Sequence, residues 1–357
     1  MLNISLFLEH VNAYHYAGVF LLLLILQSLI TNKWARTFFT KILPSYDALQ
    51  KIHEGEVSRF GGFCMLLGII LLTGLSENKE VRDLMTMVFL SFSPLAIITF
   101  FEDLHIPFNP KLRLAIMFVS CWLMLIMTGV SLPVFDTPYL VDLLASPIIG
   151  SIFFTLCIVS LINGANFVDG TNGNFALMML AIFTSLFFLG ALVDDMEFIT
   201  IVLLCATPML AFLIFNYPWG RLFAGDLGAY LYGALVGFLI IFFFGKHSNV
   251  SAWNAVLIVF YPMMELIYSV SRKILTHKSP FEADRHHIHI KVYDILYRGC
   301  NRPKLANNLV TLFLGLFWLS PTVILPWVYQ SHTLLVISLA FLTVCYVTIN
   351  LVVPSGG

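Results

Sequence analysis

The 357-residue chain has few charged side chains: only 11% of its residues are Asp, Glu, Lys or Arg, and 59% are hydrophobic. Soluble proteins carry roughly a quarter charged residues, so the composition excludes an ordinary soluble protein. The mean hydropathy is +0.90, and apolar stretches close to the ~20 residues that cross a bilayer recur along the chain. The sequence therefore predicts an all-α polytopic membrane protein.

Three further absences limit the kind of membrane protein that the sequence can encode. The first 15 residues contain no Lys or Arg, so they lack the basic start of a cleaved signal peptide and the first apolar stretch should be retained. All six cysteines except Cys300 fall in apolar stretches, and Cys300 falls on the predicted cytosolic side, so a disulfide framework is not expected. The two halves show no inverted repeat, which weakens a transporter interpretation.

About eleven membrane spans are predicted, with ten as the alternative. With the N-terminus outside, most of the 19 Lys and Arg residues fall on the inner side, and only Lys79, Arg82 and Lys246 fall outside. The positive-inside rule favours this orientation. We expect one membrane-embedded domain over residues 1–357. The predicted spans lie near 16–30, 61–75, 84–101, 114–130, 147–162, 175–192, 199–215, 230–244, 252–269, 309–328 and 334–353.

Five polar stretches interrupt the apolar background, and each falls at the inner end of a predicted span. All five can therefore meet at one cytoplasmic surface, whereas the outer loops carry no comparable pattern of glycine and carboxylate. Such loops are typical of a site rather than of connectors. The stretches are KIHEGEVSRFGG (51–62), FFEDLHIPFNPKLRL (100–114), NGANFVDGTNGN (163–174), FNYPWGRLFAGDLGA (215–229) and SPFEADRHHIHI (279–290).

Two of these stretches place carboxylates at helix ends. Glu102 and Asp103 are adjacent acids, which repel each other and so attract a cation or hold a proton. Asp226 is flanked by glycine, which lets the backbone approach a phosphate or a hydrated metal closely. The alternatives are a hydrated helix terminus for the first pair and an ordinary turn for the second.

The stretch 163–174 offers Asn166, Asp169 and Asn172 at a three-residue spacing and contains no Lys or Arg. One helical turn would place the three side chains on the same side. Oxygen ligands of this kind suit Mg²⁺ and hydroxyl groups rather than soft metals. A Gly/Asn hairpin between two spans is the alternative interpretation.

The last stretch is the most basic, with Arg285, His287 and His289 close together. No cysteine or paired ligand completes a zinc site, so an anion-binding cluster for phosphate oxygens fits better. A solvated basic loop is the alternative. Glu265 lies near the inner boundary, where an acid should be paired or functional. The pair Asp194–Asp195 falls on the outer side and is interpreted as a solvated loop.

Taken in order, the five stretches resemble the motifs of the polyprenyl-phosphate N-acetylhexosamine-1-phosphate transferases, a family of bacterial membrane enzymes in glycosyltransferase family 4. HEGEVSRFGG is similar to the family's His…Arg-x-Gly-Gly motif, and FEDLHIPFNPKLRL to its Asp-Asp loop followed by a Lys/Arg helix start. NGANFVDGTNG resembles Asn-x-x-Asn-x-x-Asp-Gly-x-Asp-Gly, FNYPWGRLFAGDLGA resembles Phe-x-Gly-Asp-x-Gly, and SPFEADRHHIHI resembles the Asp-Arg-x-His-Ile-His-His run. The resemblance covers about residues 51–290.

Three positions depart from the family pattern. Glu102 stands where the family has Asp and keeps the charge on a longer arm. Asn172 replaces an acid and so removes a charge, and Ile290 replaces a histidine. These departures keep an inactive, lipid-binding homologue as an alternative, and a membrane transporter is the alternative from another class.

The resemblance implies transfer of a sugar 1-phosphate from a UDP-N-acetylhexosamine to undecaprenyl phosphate, with release of UMP, at the bacterial inner membrane. This reaction would initiate a lipid-linked surface glycan such as O-antigen or capsule. It implies Mg²⁺ as cofactor, with Mn²⁺ as an alternative, and membrane lipids but no nucleic acid as partners; a homo-oligomer is left open. The implied residue roles are catalysis by Glu102, Asp103 and Asp169, metal binding by Asp226, and substrate binding by Arg59, Lys111, Asn166, Asn172, Arg285, His287 and His289.

Overall fold

The computed structural model describes residues 12–32, 57–279 and 286–353, and the regular secondary structure within them is helical apart from one isolated bridge. Fifteen helices follow one another in these three ranges. They are α1 (Ala13–Thr31), α2 (Gly61–Leu75), α3 (Lys79–Asp103), α4 (Pro110–Thr128), α5 (Pro138–Leu144), α6 (Pro147–Val168), α7 (Asn174–Leu192), α8 (Met196–Asn216), α9 (Gly225–Lys246), α10 (Asn254–Ile258), α11 (Phe260–Leu275), α12 (Ile288–Cys300), α13 (Pro303–Trp318), α14 (Ser320–Val328) and α15 (His332–Val352).

The all-helical membrane class is confirmed. Nine helical stretches of the described residues are long and apolar enough to cross a bilayer, with α13 and α14 counted together. The predicted span at 61–75 is helical but shorter. The predicted span at 252–269 is divided at Val259 into α10 and α11. Pro262 has no N–H to bond the carbonyl of Ile258, so the helix cannot continue straight through this point.

Helix α9 lies at the centre of the bundle. Its apolar window is 94% buried, against 17% for α1 and 22% for α15 at the periphery. It packs against α6, α2, α3 and α7. Small residues permit the close approach to α2, because a Cβ on Gly62 would lie 2.2 Å from the Gly228 amide nitrogen. The first residues of α9 are therefore surrounded by the ends of its neighbours.

The bundle has two polar ends. We call the end that carries Asp103, Asp169 and Asp226 the site end, and the end that carries Asp195 and Lys246 the far end. The start of α1 lies at the far end, because Asn12 Nδ2 donates a hydrogen bond of 3.1 Å to Oε1 of Glu77, in the loop between α2 and α3. The described parts of all five polar stretches lie at the site end, so their predicted convergence is confirmed there.

Candidate active site

The site begins where the segment before α2 lies beside the loop that joins α8 to α9. Ser58 and Leu222 form a parallel bridge, and the Phe223 amide donates to the Ser58 carbonyl at 2.9 Å. These backbone contacts hold the segment that carries Arg59 against the turn that carries Asp226. Two stretches that are far apart in sequence thus share one polar surface.

Asp103, the last residue of α3, is 4% exposed and caps the first turn of α9. Its Oδ1 accepts a hydrogen bond from the Asp226 amide at 2.8 Å, and its Oδ2 accepts one from the Leu227 amide at 3.0 Å. The carboxylate therefore satisfies two of the orphan N–H groups at the positive end of the helix. Gly225 precedes them at φ +70°, and a Cβ there would lie 2.5 Å from Asp103 Oδ1. The turn thus requires glycine.

Arg59 lies between the two acids. Its Nε is 3.7 Å from Asp103 Oδ1, and its Nη2 is 3.8 Å from Asp226 Oδ1. Burial alone would lower the pKa of the Arg59 guanidinium, but the charges of Asp226, Asp103 and Asp169 together raise it. The side chain of Asp226 is 20% exposed, and no hydrogen bond to its carboxylate is present among the described residues. Asp226 is thus the acid of this group that remains accessible to a ligand.

A second cation, Arg113, faces the site from the first turn of α4. Its Nη1 donates to Glu102 Oε1 at 3.1 Å, and its guanidinium lies 5.7 Å from the centre of the Tyr230 ring, one turn beyond Asp226. The predicted residue Lys111 is exposed instead. The sequence analysis chose Lys111 because it is the first basic residue of α4. In the structure it is Arg113, two positions later, whose side chain faces α9.

Asp169 follows the end of α6 and lies near Arg59 and Asp226. Burial, and to a lesser extent the charge of Asp226, raise the pKa of Asp169 to about 7, although the charge of Arg59 opposes this. Asn166 lies one turn earlier, and its side chain has no hydrogen-bond partner among the described residues. Of the three residues predicted to share a side, these two retain free polar groups.

The backbone and side chain of Asn172 form hydrogen bonds with other groups of the protein. Its amide nitrogen donates to Asn307 Oδ1 at 2.7 Å, and its side-chain Nδ2 donates to the Pro218 carbonyl at 3.3 Å and to Asn308 Oδ1 at 3.1 Å. Its carbonyl accepts from Thr311 Oγ1 at 2.5 Å. With 4% of its surface exposed, this residue joins the 163–174 loop to α13. Substrate binding by Asn172 remains a prediction.

His287 and His289 are brought beside the same loop. Their rings stack at 5.7 Å with 12° between their planes, and the His287 ring lies 4.7 Å from that of Phe167. His287 Nδ1 is 3.3 Å from Glu265 Oε2. Burial, with the charge of His287, lowers the pKa of His289 to about 3, so this side chain is neutral at pH 7. Substrate binding by His289 remains a prediction.

Arg285, also predicted to bind substrate, lies outside the described residues. Within 12–32, 57–279 and 286–353, no three His, Cys, Asp or Glu side chains form a preassembled metal cluster. The chemistry of the accessible donors still suits Mg²⁺, which in phosphoryl-transfer sites binds through one or two carboxylates together with substrate phosphates. Asp226 supplies one such carboxylate, and Asp169 is its neighbour.

At the far end, the structure corrects the interpretation of Asp194 and Asp195 as a solvated loop. Asp194 is exposed, but Asp195 is buried and caps α8 by accepting from the Phe198 amide at 3.0 Å. It also lies 2.9 Å from Lys246 Nζ and 2.7 Å from His247 Nε2. Burial alone would raise the pKa of Asp195, but these hydrogen bonds lower it below its ordinary value. Asp195 therefore has a structural role and does not lie in a solvated loop.

Comparison with known proteins finds a family resemblance in the central part of the chain. The model of glycosyl transferase family 4 matches residues 85–244, a range that contains the site loops around Asp103, Asp169 and Asp226. This part of the chain resembles glycosyl transferase family 4. The matched range thus includes the site ends of six helices, α3, α4, α6, α7, α8 and α9.

Curated relatives are consistent with this resemblance, at low identity. A probable undecaprenyl-phosphate N-acetylglucosaminyl 1-phosphate transferase of Bacillus subtilis (strain 168) is 23% identical over 67% of this chain and 66% of its own length. An undecaprenyl-phosphate alpha-N-acetylglucosaminyl 1-phosphate transferase of Thermotoga maritima is 28% identical over 39% of this chain and 41% of its own length. A decaprenyl-phosphate N-acetylglucosaminephosphotransferase of Mycobacterium leprae is 31% identical over 41% of this chain and 42% of its own length. The chain thus spans at most 66% of the length of any of these three relatives.

Proposed function

We propose that this protein transfers a sugar 1-phosphate from a UDP-N-acetylhexosamine to undecaprenyl phosphate and releases UMP. An oxygen of the lipid phosphate attacks the phosphorus that bears the sugar, and the bond from that phosphorus to the bridging oxygen breaks with its electron pair leaving on UMP. The observation that carries the proposal is the meeting of Arg59, Asp103, Asp169 and Asp226 at the end of a bundle of bilayer-length helices.

Each side chain has a task in this reaction. Asp226, the accessible acid, would hold Mg²⁺ or Mn²⁺, which when bound neutralises the diphosphate oxygens. Asp103 keeps the first turn of α9 in place through two backbone hydrogen bonds. Arg59 balances the acids and can turn its exposed face to a phosphate. Phosphoryl transfer depends mainly on such positioning and charge neutralisation.

The lipid acceptor accounts for the position of the site. A polyprenyl phosphate keeps its chain in the bilayer and its phosphate at the interface, where the ends of the helices lie. We place this end at the cytoplasmic face of the bacterial inner membrane, as the distribution of Lys and Arg favours. The names of the relatives support GlcNAc or a related amino sugar as the sugar that is transferred.

A transporter is a poorer description of this structure. In the nine candidate spans, the Asp, Glu, Lys and Arg residues lie near the helix ends. Secondary transporters place their substrate and ion sites near the bilayer midplane, with ionisable or unwound groups there. The described spans therefore lack the charged midplane site that ion-coupled transport requires.

The test is an assay with purified protein in lipid nanodiscs, supplied with UDP-GlcNAc, undecaprenyl phosphate and Mg²⁺. We expect a lipid-linked sugar diphosphate and UMP in equal amounts, and loss of product when Mg²⁺ is chelated. Asp226→Ala should reduce the rate by at least about a thousandfold, since it removes the accessible carboxylate. Unchanged turnover by Asp226→Ala would reject the role of this acid. A panel of UDP-sugars in the same assay identifies the donor.

A further inference from the structure

The fold buries a carboxylate–histidine pair at each end of the bundle, and the two pairs differ. At the far end, Asp195 Oδ2 lies 2.7 Å from His247 Nε2 and 2.9 Å from Lys246 Nζ, and Oδ1 accepts from the Phe198 amide at 3.0 Å. Both oxygens are satisfied. This pair has the contacts expected of a group that stabilises the fold.

At the site end the pair is less well satisfied. Glu265 is 2% exposed, and its Oε2 lies 3.3 Å from Nδ1 of His287, which is 4% exposed. The second oxygen, Oε1, is buried and accepts no well-aligned hydrogen bond within the described residues, although the Tyr346 hydroxyl lies close to the Glu265 carboxyl group. An unsatisfied buried carboxylate oxygen costs folding free energy. Stability alone is thus a poor reason for an acid at this position.

The histidine of this pair is oriented by its surroundings. Phe167, two residues before Asp169, lies 4.7 Å from the His287 ring on one side, and His289 stacks at 5.7 Å. With Nδ1 facing Glu265, the other ring nitrogen, Nε2, has no hydrogen-bond partner in the described parts of the chain. In both the neutral form with Nδ1–H and the charged form, Nδ1 donates to the carboxylate. The pair therefore fixes both the tautomer and the direction of the ring.

We propose that Glu265 is a positioning residue that holds His287 so that its Nε2 binds the nucleotide-sugar donor. This inference rests on the proposed function. The donor is the fitting ligand because the two rings lie against Phe167 and Gly170, on either side of Asp169 in the chain, whereas the lipid acceptor must approach from the apolar surface. For histidines that bind metals, removal of the residue that holds the second ring nitrogen typically costs at least tenfold in metal affinity or activity, and we expect an effect of similar size here.

The experiment compares Glu265→Gln and Glu265→Leu with Asp195→Asn, the matched change at the far end. We expect the Kd for UMP and the KM for the UDP-sugar to rise about threefold in Glu265→Gln, whose amide oxygen can still accept from Nδ1–H. They should rise at least about tenfold in Glu265→Leu, which cannot. The KM for undecaprenyl phosphate should stay the same. Asp195→Asn should lower the Tm without changing either constant.

Several outcomes would overturn the inference. One is a lower Tm in the Glu265 variants with an unchanged Kd for UMP, because that pattern means a structural role only. Another is a change confined to the KM for the lipid. If Glu265→Leu does not fold, Glu265→Gln decides through its Kd for UMP. Wild-type protein that binds UMP but forms no lipid product would reject the proposed reaction, and the UMP affinities would still test the positioning role.

Discussion

At the scale of single residues, identical side chains have different tasks that depend on their partners. Asp103 and Asp226 are both acids at helix ends, but the first has both oxygens on backbone amides and the second is accessible. The sequence indicated both as site residues. It could not assign the capping role, since that depends on α9 meeting the end of α3 across 123 positions of sequence.

We predict that the Asp169 carboxylate lowers the stability of the ligand-free protein and is required for transferase activity. Its pKa of about 7 exceeds the unfolded value of 3.8, so the ligand-free fold is penalised above pH 7 and the penalty is relieved as the pH falls from 7 towards 4. Asp169→Asn removes the penalty and should stabilise the metal-free protein at pH 8 by about 1–2 kcal/mol, more than at pH 5. Thermal unfolding at both pH values checks this. An equal change in stability at pH 8 and pH 5 would contradict this prediction. Asp169→Asn should also abolish transferase activity.

Asn172 departs from the family's acid, and its contacts explain why an acid fits poorly here. Asn172→Asp should destabilise the protein by about 1–3 kcal/mol, because both hydrogen bonds donated by Nδ2 would become contacts between oxygens. Asn166→Asp is the matched control, since the Asn166 amide has no described partner, and it should change stability little. Denaturation curves of the two variants provide the measurement. Equal stability of the two would count against this explanation.

At the scale of elements, contacts between helices decide what the site contains. The apolar pattern predicted most helices within a few residues, because a bilayer requires long apolar runs. The apolar pattern did not predict the break between α10 and α11, because residues 252–269 are apolar enough throughout to predict a single span. It also chose Lys111 over Arg113, since the direction in which a helix presents its residues depends on the neighbour against which it packs.

The contact between α2 and α9 should tolerate no side chain at Gly62. Gly62→Ala places a methyl group 2.2 Å from the Gly228 nitrogen, so it should destabilise the protein by about 1–3 kcal/mol and lower activity by moving Arg59 away from Asp226. Gly74→Ala in the same helix meets nothing within 4 Å and should be neutral or slightly stabilising. Thermal unfolding and transferase rates of the two variants check this. Equal behaviour would show that α2 is free to shift.

At the scale of the whole molecule, the two polar ends should lie in different compartments. In a cysteine-free background, Asn249→Cys at the far end should react with a membrane-impermeant maleimide in intact cells. Ile106→Cys at the site end should react only after permeabilisation. Both positions are exposed, and the positive-inside rule sets the expected sign. Reaction of both cysteines in intact cells, or the reverse pattern, would contradict the predicted orientation.

The central position of α9 has a consequence for how the protein responds to its membrane. Lipids of different acyl length impose a mismatch on the helices they touch, which tilt or shift to accommodate it. Here those helices are the peripheral ones such as α1 and α15, while α9 is shielded along its length. The acid at its tip is thus uncoupled from bilayer thickness, so turnover should vary little between thin and thick nanodiscs.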